Sequence, residues 1–263
     1  MTADRTFLWL TLVLYATSGV LTLLRLRKSG PSPSPLNYAT MLCGFALHTV
    51  FLYLRGQTVL RCPLTNSFEA TVFIAWAAVL FYLLIGPSYR VSFLGAFTAP
   101  VVFIICLIAL LGLNDTPRAE PLARSPWVDF HAAVAILACG AFALAFVTGT
   151  MYLLQERQLK SRRLSSSFLL LPPIEQLDVI NFRLIVLGFV MLTMGMIGGA
   201  ISYSIVGHWT APKIVWAIVA WSLYAAQLAA RSFWSLRGRK TAVVSMMSFV
   251  FVLLTFWGVN LLR

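Results

Sequence analysis

The chain has 263 residues, 60% of them hydrophobic and only 11% charged, and its mean hydropathy of +0.86 excludes a soluble globular domain. A formal net charge of +12 raises nucleic acid as a partner, but the basic residues fall in short blocks between apolar runs and read as a membrane-topology signal instead. Apolar runs of about 20 residues without alternation exclude a β-barrel and call for helices, which alone cross roughly 30 Å of hydrocarbon with their own backbone hydrogen bonds satisfied.

The expected architecture is therefore all-α: one polytopic transmembrane bundle occupying residues 1–263, with about eight spans near 6–25, 36–55, 70–86, 91–112, 128–155, 179–204, 214–232 and 242–261. The first span lacks a basic leader and a small-residue cleavage site, so it is expected to remain as a helix and not to be removed as a signal peptide. Arg25, Arg27 and Lys28 follow it, then SGPSPSP at 29–35, a stiff turn because proline fixes φ and disfavours helix in the residue before it.

The second span carries His48, about two-thirds of the way along from the basic side. An imidazole in lipid is costly, and it can ligate a metal, carry a proton or simply hydrogen-bond to a neighbouring helix. The segment CPLTNSFEA at 62–70 leads into the third span, with Pro63 and Asn66 ahead of the helix and Glu69 in its first turn. The helix dipole favours a carboxylate there, so capping alone accounts for Glu69. Arg90 follows the third span.

WVDFH at 127–131 opens the fifth span. Trp127 reads as an interfacial anchor, while His131 and Asp129 offer a ligand and an orienting carboxylate, against the plainer reading of a solvated helix end. Arg157, Lys160, Arg162 and Arg163 follow, then SSSFLLLPPIEQLD, whose Phe168–Leu171 run lies in the membrane interface or packs on the bundle. In the sixth span Gly195 and Gly199 form a GxxxG pair beside Gly198 and Ala200, which reads equally as close helix packing or as a groove. HWTAPK at 208–213 then places His208 and Trp209 in a loop and Pro212 in the first turn of the seventh span, where a missing N–H costs nothing.

The basic blocks after the first, third, fifth and seventh spans (the last being Arg231, Arg237, Arg239 and Lys240) occupy alternate loops. The positive-inside rule puts them in the cytoplasm and leaves both termini and the loops at 56–69, 113–127 and 205–213 outside. His131 and His208 then share the outer face with Trp127, Trp209 and Trp216, a set able to supply axial ligands and apolar walls to a haem, although loop histidines are common without function. Cys43, Cys106 and Cys139 lie within spans and Cys62 is alone in a loop; there is no CxxC pair and no covalent haem-attachment sequence. No hydrolase triad, phosphate-cradling glycine loop or zinc spacing is present.

From about residue 40 onward the order of these features resembles the CcsA, ResC and HemX group of cytochrome c assembly proteins. ALHTVFLYLRGQTVLRCPLTNSFEATVFIAW is similar to the family's histidine-bearing helix, short loop and PLSNLYES-type segment, matched at Pro63, Leu64, Thr65, Asn66, Ser67, Phe68 and Glu69. WVDFHAAVAILACGAFALAFVTGTMYLLQ resembles the outward-facing histidine and the small-residue helix after it, and PKIVWAIVAW and FWGVNLL resemble the ends of the haem-handling core. The resemblance implies a multi-pass protein of the bacterial plasma membrane that binds haem non-covalently and presents it at the outer face. With a CcsB/ResB-like partner, such a protein supports attachment of haem to apocytochrome c, as an assembly factor more than an enzyme in its own right. By residue, the embedded histidine carries over to His48 and an outer axial ligand to His131. The tryptophan-rich signature reads only His208, Trp209, Thr210 and Ala211 before Pro212 and Lys213; Ala229 stands where a second embedded histidine is expected, and the last outer histidine is missing. His208 is expected to replace it. The alternative is a HemX-like scaffold or regulator that has lost haem ligation, with a small-molecule transporter a distant third.

Overall fold

The structure, a computed structural model, describes residues 3–28, 35–59, 62–64, 66–85, 94–112, 126–161, 172–206 and 211–261. Among these residues eight helices follow one another: α1 (Ala3–Lys28), α2 (Pro35–Val59), α3 (Ser67–Ile85), α4 (Leu94–Gly112), α5 (Pro126–Ser161), α6 (Ile174–Val206), α7 (Ala211–Phe233) and α8 (Arg239–Leu261). Among the described residues there is no strand, and seven helices, α2 to α8, are long and apolar enough to cross a membrane. The protein is an integral, multi-pass membrane protein. Helix α1 is long enough as well, at 26 residues. Asp4, Arg5 and its run of threonines and serines dilute its hydropathy, and it packs on α2 and α4.

Helices α5 and α6 outrun their expected spans furthest. Helix α5 continues to Ser161 and α6 begins at Ile174, so the described part of the interruption between the fifth and sixth spans is helical apart from Pro172 and Pro173. The extension of α5 carries an i,i+4 ion pair, Glu156 to Lys160 at 2.7 Å, of the kind that supports a helix turn in water. Phe168–Leu171 lies outside the described residues. Because α2 runs on to Val59, His48 sits near mid-helix and not two-thirds along.

Helix α5 is the centre of the bundle, packed against α3, α4, α6 and α8. Its buried face is built of small residues, Ala138, Gly140, Ala141, Ala143, Ala145 and Gly149, which let neighbouring backbones come close where lipid supplies no hydrophobic drive. At Gly140 a Cβ would run into the Ala77 side chain and backbone of α3. Beside it Phe142 stacks on Tyr224 of α7, with centroids 3.6 Å apart and planes 7° from parallel.

Tryptophan–threonine hydrogen bonds staple helix to helix. Trp76 Nε1 of α3 donates to Thr49 Oγ1 of α2 at 2.9 Å, Trp216 of α7 to Thr255 of α8 at 2.8 Å, Trp221 of α7 to Thr193 of α6 at 3.0 Å, and Trp257 of α8 to Thr71 of α3 at 3.0 Å. Each threonine donates its own hydroxyl proton to the carbonyl four residues back, to Phe45, Phe251, Phe189 and Ser67 respectively. The hydroxyl is thus satisfied twice over, as a polar atom in hydrocarbon must be. Trp76 and Trp221 also lie on the rings of Phe45 and Phe189, at 5.2 and 5.3 Å between centroids.

The two ends of the bundle differ in charge. At one end Asp178 at the start of α6 takes both arms of Arg231 from the end of α7, at 3.0 and 2.6 Å, and accepts the Gly238 N–H from the α7–α8 turn at 3.1 Å. Glu156 near the end of α5 reaches Arg239 at 3.8 Å, so Arg157, Lys160, Arg231, Arg237, Arg239 and Lys240 belong to this end. The opposite end, where α1, α3, α5 and α7 begin and α2 finishes, holds the candidate site.

Candidate haem-handling end of the bundle

The CPLTNSFEA segment forms the start of α3. Asn66 is the cap: its Oδ1 accepts the Glu69 backbone N–H at 2.8 Å, and its carbonyl accepts Ala70 N–H at 3.1 Å. Glu69 does more than sit near a helix dipole. It is fully buried, and its Oε1 accepts Nε–H of Arg55 at 2.8 Å, while Arg55 Nη1 donates to Asp4 Oδ2 at 3.3 Å. The guanidinium also lies over the Phe68 ring, 5.9 Å from its centroid. One arginine thereby ties the end of α2 to the starts of α1 and α3. Buried charges persist in such a place only when paired this way.

Cys62 sits just ahead of this cluster. Partial burial, then the negative charges of Asp129 and Glu69, push its thiol up from the ordinary value of 9.0. The start of α5 is therefore close to the start of α3. Asp129 itself is exposed, and Trp127 is exposed with its ring edge against Phe130 at 6.1 Å, as an interfacial anchor should be.

His131 lies one turn into α5 and is half-buried against α6. Its Nδ1 is 2.5 Å from the Gly195 carbonyl oxygen. The group that holds the ring is thus a backbone carbonyl of α6 and not the Asp129 carboxylate offered by the sequence. The GxxxG pair is the surface the ring rests on: a Cβ at Gly199 would stand 2.8 Å from His131 Nδ1, and one at Gly198 would stand 2.8 Å from the Phe130 ring. Lys213, in the first turn of α7, is near enough for its charge to act on His131. Pro212 is the second residue of α7, as expected of a first-turn proline. His208 and Trp209 lie outside the described residues, within 207–210 between the end of α6 and the start of α7.

His48 is in a separate place, fully buried on α2. Its Nδ1 is 3.3 Å from the Tyr15 hydroxyl of α1, and the ring is flanked by Phe51 and lies against the backbone of Val72 in α3. Nε2 makes no hydrogen bond among the described residues. Tyr15 occupies the space left by Gly44, where a Cβ would come within 2.6 Å of its ring.

The structure therefore brings Asn66, Glu69, Asp129 and His131 to one end of the bundle and leaves His48 deeper in it. Sequence reasoning missed Arg55, Asp4, Tyr15 and the role of the two glycines toward His131. A signal for Arg55 existed, since an arginine inside an apolar span is unusual. Tyr15 and a backbone carbonyl carry no such mark.

No cluster of three or more His, Cys, Asp or Glu forms among the described residues. The donors offered are single imidazoles, the set that suits an iron already held by a porphyrin and not a bare ion. An imidazole with Nδ1 hydrogen-bonded to a carbonyl and a buried imidazole nitrogen lacking a partner both fit that group.

A family profile described as cytochrome C assembly protein matches residues 64–263. Among curated proteins, the chain is 28% identical over 242 residues to a cytochrome c biogenesis protein CcsA of Prochlorococcus marinus strain MIT 9301, covering 82% of this chain and 78% of the relative. It is 30% identical over 249 residues to the CcsA of strain MIT 9303, covering 80% of this chain and 78% of that protein. It is 30% identical over 253 residues to the CcsA of Parasynechococcus marenigrum WH8102, covering 80% of each. These relatives bear the CcsA name, and the HemX-like assignment gains no support from them. With a profile match over most of its length, and with the histidine helix, the capped CPLTNSFEA turn and the His131 helix in their expected order, the chain belongs to the cytochrome c assembly protein family.

Proposed function

We propose that this protein binds haem as a component of cytochrome c assembly and presents it at the outer face of the bacterial plasma membrane. The observation that carries the reading is His131, an imidazole held through Nδ1 by the Gly195 carbonyl at the end of the bundle away from the basic blocks. By the positive-inside rule that end is outside, together with both termini. His131 would ligate the haem iron, and His208, which follows α6 in the sequence, would supply the second imidazole. Trp127 and Trp209 supply apolar walls. His48, buried in the bundle with no hydrogen-bond partner for Nε2 among the described residues, belongs to an inner haem path.

Haem supplies the iron and the porphyrin to be passed on; the chain's own residues hold and orient it. Arg55, Asp4 and Glu69 pin together the helix ends at this end of the bundle. The whole of 1–263 acts as one unit, and the partners that fit are a CcsB/ResB-like membrane protein and apocytochrome c. The test is the absorption spectrum of the purified protein expressed with haem supplied. A low-spin bis-histidine Soret and α-band pattern that collapses in His131→Ala and in His208→Ala supports the assignment. A spectrum unchanged in either variant removes that residue from the ligand set. Purification without haem under these conditions favours a scaffold that has lost ligation.

A further inference from the structure

We infer that Gly195 and Gly199 of α6 are positioning residues for His131: the one fixes which ring nitrogen carries the proton, the other makes room for the ring to reach it. The inference deepens the haem reading above and rests on it.

A carbonyl oxygen only accepts. Contact between His131 Nδ1 and Gly195 O at 2.5 Å therefore requires the proton on Nδ1, and in the neutral ring the lone pair is then on Nε2. Nε2 becomes the ligand nitrogen, and a donated Nδ1–H makes it more basic, as carbonyl and carboxylate partners do for metal-bound histidines generally. A more electron-rich axial nitrogen favours ferric over ferrous haem. The hydrogen bond is reachable only because residue 199 has no side chain, since a Cβ there would stand 2.8 Å from Nδ1 and 3.1 Å from Cε1. The atom that an added methyl group would push is the same atom that makes the bond. The GxxxG spacing has a direct consequence in this geometry: position 195 presents its carbonyl to the ring, and position 199, one turn on, passes beneath it.

Gly198 provides a matched comparison on the same helix. A Cβ at 198 also stands 2.8 Å from a ring, but that ring is Phe130, and the nearest His131 atom is Cα at 3.8 Å. Alanine is the better helix former at both positions, so neither substitution strains the backbone of α6.

Haem titration into Gly199→Ala and Gly198→Ala, followed by redox potentiometry of the loaded proteins, tests this. The expected result is a 10- to 100-fold loss of haem affinity in Gly199→Ala, a midpoint potential displaced to more positive values, and parent behaviour in Gly198→Ala. Parent affinity and potential in Gly199→Ala overturn the inference, as do equal losses in the two variants. A measurement that needs neither haem nor a variant of α6 is ¹⁵N NMR of histidine-labelled apoprotein, with the His131 signal assigned by its loss in His131→Ala. It should report a neutral ring protonated at Nδ1. Protonation at Nε2 alone, or a charged ring at neutral pH, overturns the inference even if haem binds. A parent protein that takes up no haem defeats the functional reading while the NMR result still decides the tautomer.

Discussion

Arg55 shows how much one residue can organise. Its guanidinium is nearly buried, paired with a fully buried Glu69 and with Asp4. Removing Arg55 from this cluster leaves two buried carboxylates without their cation, and breaking a buried pair in this way costs about 3–5 kcal/mol. Arg55→Ala should therefore lower the thermal unfolding midpoint in detergent sharply, whereas Asp129→Ala, at an exposed position, should leave it near the parent value. Equal effects would contradict the pairing. Cys62 offers a gentler probe of the same end. Since burial and the Asp129 and Glu69 charges raise its thiol above 9.0, less of it is thiolate at any pH below that value. In a background with Cys43, Cys106 and Cys139 replaced, alkylation at pH 8 should be slower than that of free cysteine. It should speed up in Asp129→Asn, because removing a negative charge lets the thiol ionise at lower pH. At this scale the sequence disclosed Glu69 and His131 but not what each is bonded to. Glu69 is explained by the dipole alone until Arg55 is seen beside it, and the partner of His131 is a backbone oxygen that every residue possesses.

Among elements, the contacts that matter are made by small and moderately polar residues, whose partners no local pattern reveals. The GxxxG pair of α6 was legible as a close-packing signal, yet only the structure shows that its occupant is an imidazole. The tryptophan–threonine staples were not legible. The four donors lie on α3, α7 and α8 and their acceptors on α2, α3, α6 and α8, up to 186 residues apart in sequence. Interhelical hydrogen bonds of this type are worth about 0.6 kcal/mol on average in a membrane. Thr71→Val, which frees Trp257, should cost roughly that much, read as a small shift of the unfolding midpoint. The cap of α3 is a stronger local device, and Asn66→Ala should cost about 1 kcal/mol through the orphaned Glu69 N–H. If Asn66→Ala proves neutral, the turn is held by the Arg55 pairing and not by its cap.

At the scale of the whole molecule the helical bundle was readable from hydropathy, because lipid permits few alternatives to helices that satisfy their own backbones. What could not be read was the reach of α5 and α6 beyond their apolar stretches, since those turns are held by ion pairs such as Glu156–Lys160 and Asp178–Arg231. The cluster of basic residues at the Asp178 end, among them Arg157, Lys160, Arg231, Arg237, Arg239 and Lys240, makes orientation testable. A C-terminal alkaline phosphatase fusion should be active and a C-terminal green fluorescent protein fusion dark, and the reverse pattern would invert the assignment of the site to the outer face. Whether His131 binds haem iron is tested most directly by titration of haem into purified apoprotein with the parent sequence and with His131→Ala. Stoichiometric uptake with a sharp, red-shifted Soret band is expected in the parent and its loss in the variant; the same saturating uptake and band in both would contradict ligation by His131.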